Sequence, residues 1–196
     1  MTEYTSEQRL IAACQTGDRE AFRQLFEAYQ GRVWSIAVHF TGEESAARDI
    51  TQQVFLKLFS SIKQFRQEAS FTTWLYRLVT NVCLDEQRRG RRFISFDFWR
   101  RDDEEDEKNI LDWRQAQQFQ HSLQEERYTQ AEMAAAVKAA VKELSPPIRL
   151  TVLLKYFEEL SYDEIARVLG CSPGTVASRL NRGHKALAQR LAHLRQ

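Results

Sequence analysis

Apolar residues recur every three or four positions through most of the chain, which is the spacing of one face of an α-helix. One predicted helix follows Thr41 and runs to about Ile62, and another runs from Ser70 to about Arg88. Each begins at a residue that can cap it. The chain shows no alternating strand pattern and no internal repeat, so the sequence predicts an all-α fold. The clearest stretch predicts a long helix over about 19–40, with apolar positions Phe22, Leu25, Phe26, Tyr29, Val33, Ile36, Ala37 and Phe40.

Capping signals divide the C-terminal part into shorter helices. Thr129 begins a predicted helix, and the pairing of Ser161 with Glu164 forms a capping box at the start of a later one. Gly170 ends that short helix, and Ser172 opens the last helix with a proline behind it. A short helix, a tight turn and a second helix predict a helix-turn-helix, the geometry that places one helix in the major groove of DNA.

The charge distribution divides the chain into three parts. The 28 basic and 27 acidic residues give a net charge of +1, which taken alone argues against a nucleic-acid binder. Residues 1–101 hold 15 basic and 12 acidic residues, residues 102–132 hold 3 and 10, and residues 133–196 hold 10 and 5. The near-zero total therefore hides net charges of +3, −7 and +5, and such asymmetry is a better guide to partners than the total.

The acidic part is interpreted as a flexible linker over 97–128. It contains the run Asp102–Glu107 and few apolar residues, and like charges repel one another. The alternative is a solvated helical face, and both interpretations keep the segment out of a core. The predicted organisation is two small helical domains, 1–96 and 129–196, joined by this acidic linker.

The remaining composition excludes several classes of protein. Cys14, Cys83 and Cys171 are odd in number and far apart, with no CxxC or Cys/His cluster, so no disulfide framework and no metal site are predicted. Because there is no apolar run of about 18 residues and no signal-peptide pattern, we expect no membrane insertion and a cytoplasmic protein. The chain shows no nucleophile with a base and no phosphate loop, which predicts no catalytic residues, no cofactor and no enzyme.

The last predicted helix carries the candidate DNA-binding residues. Its apolar face is formed by Val176, Leu180 and Leu187, and the opposite face is polar or basic. Arg179 and Arg182 suit guanine edges or phosphates, the other members suit phosphates, and which arginine reads a base stays open. The alternative is an ordinary surface helix with solvated arginines. The predicted set is Ser172, Thr175, Ser178, Arg179, Arg182 and Lys185.

Two groups of sequence stretches resemble bacterial sigma factors of the sigma-70 family, in its extracytoplasmic-function (ECF) subfamily. The resemblance covers about 1–96 and 129–196. It implies an RNA polymerase sigma factor that recognises −35 and −10 promoter elements, directs initiation and assists DNA melting. The C-terminal group resembles sigma region 4 and comprises LSPPIR (144–149), KYFEELSYDEIA (155–166) and GTVASRL (174–180). The N-terminal group resembles sigma region 2 and comprises GDREAFRQLF (17–26), ARDITQQVFLKLF (47–59) and FTTWLYRL (71–78), followed by Asn81.

The resemblance also implies partners and residue roles. Core RNA polymerase is contacted through its β′ clamp helices and β flap, promoter DNA is bound by both regions, and an anti-sigma factor commonly holds the protein until a signal arrives. The resemblance implies that region 4 binds the −35 element. In region 2 a loop and the following helix capture a base flipped out of the −10 element, a step that costs a few kcal/mol of stacking and pairing. The implied −10 residues are Lys63, Ser70, Thr73, Tyr76, Arg77, Asn81 and Arg88, and the implied polymerase residues are Asp49, Gln52, Gln53, Leu56 and Phe59.

The residue types fit these roles. An aromatic and basic helix face suits single-stranded DNA, where bases stack and phosphates pair, and a mixed polar and aromatic face suits a protein partner. Two promoter elements separated by two turns of duplex DNA lie roughly 70 Å apart. An extended linker of 30 residues can span about 100 Å, so the predicted linker is long enough to connect two domains bound to these elements. Two other functions stay open at this point: a stand-alone transcription activator that uses only the helix-turn-helix, and a helical interaction protein with no role on DNA.

Overall fold

The structure is a computed structural model that describes the backbone of residues 6–94 and 123–195. Within these ranges all regular elements are helical, which confirms the predicted all-α fold. Residues 95–122, which hold most of the predicted linker, lie outside the described residues. The helices are α1 (Ser6–Thr16), α2 (Arg19–Thr41), α3 (Glu44–Ser61), α4 (Phe71–Ile94), α5 (Leu123–Lys142), α6 (Pro146–Tyr156), α7 (Tyr162–Leu169) and α8 (Pro173–Arg190), with short 3-10 helices at Ile62–Gln64 and Ala192–Arg195.

Helices α1 to α4 form an N-terminal unit around the apolar stripe that the sequence predicts on α2. Asp18 caps this helix, since its Oδ1 accepts the backbone N–H groups of Glu20 at 2.8 Å and Ala21 at 3.1 Å. Most of the predicted stripe is buried, and it meets the buried apolar residues of α3 and α4 in one core. Because about 25 cal/mol is gained per Å² of apolar surface removed from water, this shared burial is the main force that holds the helices together.

The start of α3 differs from the sequence prediction of a cap at Thr41. Thr41 is the last residue of α2, and its hydroxyl donates to the carbonyl of Ala37 at 2.9 Å. Gly42 follows with φ = +74°, in the left-handed region that glycine adopts without a steric penalty, and this residue ends α2. Glu43 then becomes the N-cap of α3 without a side-chain capping bond.

Helices α5 to α8 form a C-terminal unit that contains the predicted helix-turn-helix. The capping box of Ser161 and Glu164 is present, Gly170 adopts φ = +63°, and Ser172 accepts the backbone N–H of Thr175 at 3.1 Å. These predictions are confirmed. The predicted helix start at Thr129 is wrong, because α5 begins six residues earlier, at Leu123. The residues before Thr129 include Gln, Glu and Arg, which have high helix propensity, and this outweighs the acidic charge that suggested a linker.

Helix α8 lies close to α6 because Gly183 has no side chain. A Cβ at this position would lie 3.0 Å from Cγ2 of Val152 and 3.1 Å from Cγ2 of Ile148. Together with the burial of Val176 and Leu180, this close approach fixes which face of α8 points outward.

The two units pack against each other, and the buried side chain of Arg149 joins them. Its Nη1 donates to the carbonyl of Phe40 at 2.7 Å, and its Nη2 donates to the carbonyls of Lys142 and, at 2.9 Å, of Leu144. The guanidinium carbon also lies 5.1 Å from the centroid of the Phe40 ring. One side chain of α6 thus satisfies carbonyl groups at the C-terminal ends of both α2 and α5, groups that a helix leaves without internal partners.

The three cysteines are free thiols in different environments. Cys14 and Cys83 are buried, whereas Cys171, in the turn between α7 and α8, is partly exposed. Burial raises the pKa of the Cys14 thiol and raises that of Cys83 to about 12. Within the described ranges, we find no grouping of acidic, His and Cys side chains able to hold a metal ion, and none of the helices there has the length and hydropathy needed to cross a bilayer.

Candidate nucleic-acid and polymerase interfaces

The predicted DNA-binding residues of α8 lie together on one outward face. Ser172, Ser178, Arg182 and Lys185 are exposed, and Thr175 and Arg179 are partly exposed. Arg182 Nη2 donates to the Ser178 hydroxyl at 3.2 Å, and Arg179 Nη1 lies 3.8 Å from the Cys171 sulfur. These contacts order the arginines without neutralising them, because neither partner is a carboxylate. The face presents two guanidinium groups and several hydroxyls, which match phosphate and base-edge acceptors.

A small pocket lies beside the start of α4, where the resemblance implies capture of a −10 base. It has a volume of about 190 Å³. Ser70 caps the helix, since its hydroxyl accepts the Thr73 backbone N–H at 3.2 Å, and the two hydroxyls lie 2.8 Å apart. The Trp74 ring lies 5.3 Å from the Phe65 ring, so one wall is aromatic. The lining residues are Gln64, Phe65, Arg66, Glu68, Ala69, Thr73, Trp74 and Arg77.

The predicted −10 residues are only partly brought together by the fold. Thr73 and Arg77 line the pocket and Ser70 borders it through Thr73, while exposed Lys63 lies next to the lining residue Gln64. Asn81 and Arg88 are exposed farther along α4, and at 1.5 Å per residue Arg88 lies roughly 16 Å beyond Arg77. Arg88 also forms an ion pair with Asp85 at 3.5 Å.

Tyr76 does not face the pocket or the solvent. It is 1% exposed, and its hydroxyl donates to the Glu158 carboxylate in the loop between α6 and α7. Burial, followed by this carboxylate, raises the pKa of Tyr76 far above its ordinary range, and burial also raises the pKa of Glu158. The C-terminal unit thus contacts Tyr76, while Arg77, which lines the pocket, stays exposed and donates from Nε to the backbone carbonyl of Arg167 in α7 at 2.7 Å.

Three of the five predicted polymerase residues of α3, namely Gln52, Leu56 and Phe59, line an apolar groove between α2 and α3. The groove has a volume of about 510 Å³. Leu56 is 61% exposed and Phe59 59% exposed, and Gln52 completes this rim, while Phe55 lies in the core. Asp49 is exposed and Gln53 partly exposed on the same helix. Exposed large apolar side chains beside a concave surface are typical of protein-binding sites.

Sequence reasoning missed two groups of residues. The first is the α2 wall of the groove, where Phe22 stacks edge-on against Phe59 at 5.0 Å and Trp34 lines the opening. The spacing of Phe22 fits the predicted core stripe, and Trp34 belongs to no predicted surface, but both side chains are partly exposed. The second is the contact between the units, above all Arg149 and Glu158, for which a single sequence contains no signal because the partners lie about 80 to 110 positions away.

The comparisons with protein families cover both units. The family model described as Sigma-70 region 2 matches residues 25–93, and the model described as Sigma-70, region 4 matches residues 126–187. Together they cover more than half of the chain and coincide with the pocket, the groove and the helix-turn-helix.

Curated relatives match over nearly the whole length. The chain is 31% identical to the RNA polymerase sigma-H factor of Pseudomonas aeruginosa, over 99% of this chain and 98% of that protein. It is 27% identical to the ECF RNA polymerase sigma factor SigW of Bacillus subtilis, over 94% of this chain and 96% of that protein.

Solved structures share the fold. The structure of CnrH in complex with the cytosolic domain of CnrY superposes with a TM-score of 0.65 at 22% identity, covering 94% of this chain and 96% of CnrH. The sigma factor RpoE of Bartonella quintana, solved in complex with the anti-sigma factor NepR, gives a TM-score of 0.61 at 22% identity, covering 87% and 96% of the two chains.

A region 2 bundle and a region 4 helix-turn-helix in one chain define the class: the protein belongs to the sigma-70 family of RNA polymerase sigma factors. Within that family it is an ECF sigma factor. It is a transcription initiation factor that recognises promoters. The family resemblance stated from the sequence motifs is confirmed.

Proposed function

We propose that this sigma factor binds its partners through three separate surfaces. The outward face of α8 binds the −35 element, the pocket beside α4 takes an unpaired base of the −10 element, and the groove between α2 and α3 docks on the clamp helices of core polymerase. One observation carries the proposal: a helix-turn-helix with an exposed basic face and a separate helical unit with an aromatic pocket occur in the same chain.

The −35 assignment rests on the geometry of the helix-turn-helix. The capped start of α8 and the tight turn at Gly170 fix the helix relative to α7, which would brace it against the DNA backbone. Arg179 and Arg182 are three residues apart and therefore neighbours on the helix surface. Their guanidinium groups can bind guanine edges or phosphates, and the hydroxyls of Ser172, Thr175 and Ser178 with Lys185 position the backbone.

The −10 assignment rests on the combination of aromatic and polar groups around the pocket. The partly exposed Trp74 ring, packed against the buried Phe65 ring at 5.3 Å, offers a surface on which a base can stack. The exposed Ser70 hydroxyl, 2.8 Å from that of Thr73, can hydrogen-bond to a base edge. Arg77 supplies a positive charge for the neighbouring phosphate. Lys63, Asn81 and Arg88 extend the polar and basic surface along the path of the strand.

The polymerase assignment rests on the exposed apolar residues of α3. Leu56 is 61% and Phe59 59% exposed in the free chain, and burying them against a partner releases water from their apolar surface. Asp49, Gln52 and Gln53 surround them with polar groups, as at the rim of a specific interface. We propose that the protein supplies promoter recognition and DNA melting but no catalysis. It acts in the cytoplasm, where the polymerase is, and an anti-sigma factor controls it.

The experiment that tests the proposal combines the purified chain with core polymerase and a library of random promoter sequences. We expect transcripts from a defined subset of the library that share two sequence elements. A stand-alone activator would give no transcripts without another sigma factor, and an interaction protein would give none at all. Absence of initiation by chain that is demonstrably free of inhibitors would overturn the proposal.

A further inference from the structure

Helix α1 is bonded to the loop that forms one side of the pocket beside α4. The side-chain amide of Gln15 donates from Nε2 to the backbone carbonyl of Ile62 at 3.0 Å and to that of Phe65 at 2.8 Å. A primary amide has two N–H groups, so each carbonyl can receive one of them. A single side chain of α1 thus connects the start of the short 3-10 helix to Phe65, a residue that lines the pocket.

The loop itself has little buried surface to hold its shape. Among residues 63–70, all of which the structure describes, only Phe65 is buried, and Gln67 adopts φ = +59°, in the left-handed region that residues with a Cβ rarely occupy. An exposed segment with a strained backbone keeps its conformation only when the surrounding structure holds it. The two bonds from Gln15 and the buried Phe65 ring hold the start of the loop, and the cap at Ser70 holds its end.

The position of Phe65 determines the shape of the aromatic wall of the pocket. Its ring lies 5.3 Å from that of Trp74, whose partly exposed surface is the proposed stacking site for the −10 base, and 5.6 Å from that of Phe71. One of the two carbonyls that Gln15 bonds belongs to Phe65 itself. Because side chains in a protein interior are closely packed, a shift of the Phe65 backbone moves its ring and with it the support behind Trp74.

A second contact joins α1 to the same aromatic cluster. The Glu7 carboxylate accepts a hydrogen bond from the Tyr29 hydroxyl, and the Tyr29 ring lies 5.2 Å from that of Phe71. Phe71 is the first residue of α4, and its ring lies 6.0 Å from that of Trp74. Helix α1 therefore supports the wall of the pocket from both of its ends, although it precedes the residues 25–93 that the region 2 family model matches.

We infer that Gln15 is a positioning residue for the −10 pocket: its amide holds the carbonyls of Ile62 and Phe65 and thereby keeps the Phe65 ring behind Trp74, where an unpaired base can stack. This inference rests on the proposed function, because it concerns the pocket assigned to the −10 strand. It predicts that loss of the Gln15 amide weakens recognition of the captured base, although Gln15 does not line the pocket.

The test compares Gln15→Met with Gln24→Met in the full-length chain assembled with core polymerase. Met has nearly the length of Gln and a similar helix propensity but no N–H donor, and Gln24 is exposed on α2, with its amide 3.4 Å from Glu20 of the same helix. Affinity is measured by fluorescence anisotropy with the single non-template strand of a promoter selected with the wild-type holoenzyme. The measurement is repeated with each −10 base replaced in turn by an abasic site. The position whose loss weakens wild-type binding most identifies the captured base.

We expect Gln15→Met to lower the affinity for the intact strand about fivefold to tenfold, and the affinity for the strand without the captured base less than about twofold, because only the intact strand stacks a base in the pocket. We expect Gln24→Met to change either affinity less than about twofold. Equal losses on the two strands would show that Gln15 acts on the whole protein and would overturn the positioning role. An unchanged affinity for the intact strand would overturn it as well.

Hydrogen–deuterium exchange in the free chain separates this inference from the proposed function. The Phe65 N–H donates to the Ile62 carbonyl at 3.1 Å, so release of the loop in Gln15→Met should speed exchange in residues 62–70 while the rest of the N-terminal unit exchanges as in the wild type. Unchanged exchange in this segment would overturn the inference. If no abasic site weakened wild-type binding selectively, the proposed −10 pocket would fail, and faster exchange in 62–70 would then limit Gln15 to ordering the loop.

A second variant guards against misfolding of the first. Gln15→Asn keeps the amide but shortens the side chain by one methylene group, so the two carbonyls are no longer bonded together. We expect the same preferential loss of affinity for the intact strand and the same faster exchange in 62–70. Faster exchange throughout the N-terminal unit in both variants would assign Gln15 to general stability and would contradict the positioning role.

Discussion

The two candidate DNA-binding helices differ in how accessible they are. On α8 the polar and basic residues are exposed or half-exposed, whereas on α4 Tyr76 is buried beneath the other unit and Arg77 is bonded to α7. Both helices have a polar and basic face in the sequence, and Arg77, Asn81 and Arg88 of α4 are exposed as well. The comparison shows that the exposure of the α8 residues depends on one unit, whereas the burial of Tyr76 on α4 involves a contact with the other unit.

The accessible face gives the largest expected effect. In the double variant Arg179→Ala/Arg182→Ala we expect promoter-dependent initiation to fall roughly 1,000-fold, because each arginine that binds a base or phosphate contributes about 1–3 kcal/mol. The assay is in vitro transcription with core polymerase. Arg19→Ala, an exposed arginine at the start of α2, serves as the matched control and should retain activity. A loss of less than about threefold in the double variant, with helicity retained, would show that α8 is an ordinary surface helix.

The contact between the units gives the next largest effect. Replacing Arg149 by Leu leaves the carbonyls of Phe40, Lys142 and Leu144 buried without their donor, and we expect the free energy of unfolding to fall by about 3 kcal/mol. Urea denaturation measures the change. Arg190→Leu is the comparison: its ion pair with Glu143 at 2.6 Å is solvent-exposed, and its loss should cost less than about 1 kcal/mol. Equal costs for the two variants would contradict a special role for Arg149.

The groove between α2 and α3 provides a third, accessible surface. We expect Leu56→Ala and Phe59→Ala each to weaken binding to core polymerase by about tenfold, since exposed apolar side chains that become buried in an interface commonly act as anchors. Fluorescence anisotropy of labelled sigma factor with core enzyme measures the affinity. Ser60→Ala, on the same helix and exposed, should bind like the wild type. If the control lost as much affinity as the two apolar variants, the groove would not be the docking site.

The smallest expected effect is a pH dependence of the contact between the units. Burial raises the pKa of Glu158 above its value in the unfolded chain, so the folded protein holds a proton on this carboxyl more readily than the unfolded chain does. The contribution of this group to stability is therefore largest at acid pH and is lost as the pH rises through the raised pKa. Urea denaturation at several pH values measures this contribution.

Glu158→Gln isolates that carboxyl from the other charged groups of the contact. Gln keeps an acceptor for the Tyr76 hydroxyl but does not titrate, and Arg32 and His39 are present in both proteins. We expect the free energy of unfolding of the wild type, relative to that of the variant, to increase as the pH falls. An unchanged difference between the two proteins across the pH range would contradict the assignment to Glu158.

Much of the fold could be predicted from local signals. Asp18, Ser161 with Glu164, and Gly170 act within a few residues of their own positions, so sequence spacing is enough to locate the helix ends that they form. The errors have equally local causes. Thr41 was expected to cap the next helix but bonds back to its own, and favourable helix propensity extends α5 to Leu123 in spite of the nearby acidic charge.

The exposure of a candidate site residue could be predicted only where it depends on the residue's own helix. Arg182 and Leu56 are exposed as expected, because the apolar stripe of their own helix fixes which face is buried. Tyr76 was placed on the correct helix, but its burial depends on Glu158, 82 positions away in the chain. A hydrogen bond between distant segments leaves no periodic pattern in a single sequence, so the burial of Tyr76 emerges only from the packed structure.

The unequal burial of the three cysteines has a practical consequence for chemistry on this protein. Thiol reagents attack the thiolate, and burial both shields Cys14 and Cys83 and keeps them protonated. Cys171 alone is partly exposed, in the turn directly before α8 and 3.8 Å from Arg179. A maleimide dye added to the folded wild-type protein should therefore mark a single position, at the edge of the DNA-reading helix, without any engineered cysteine.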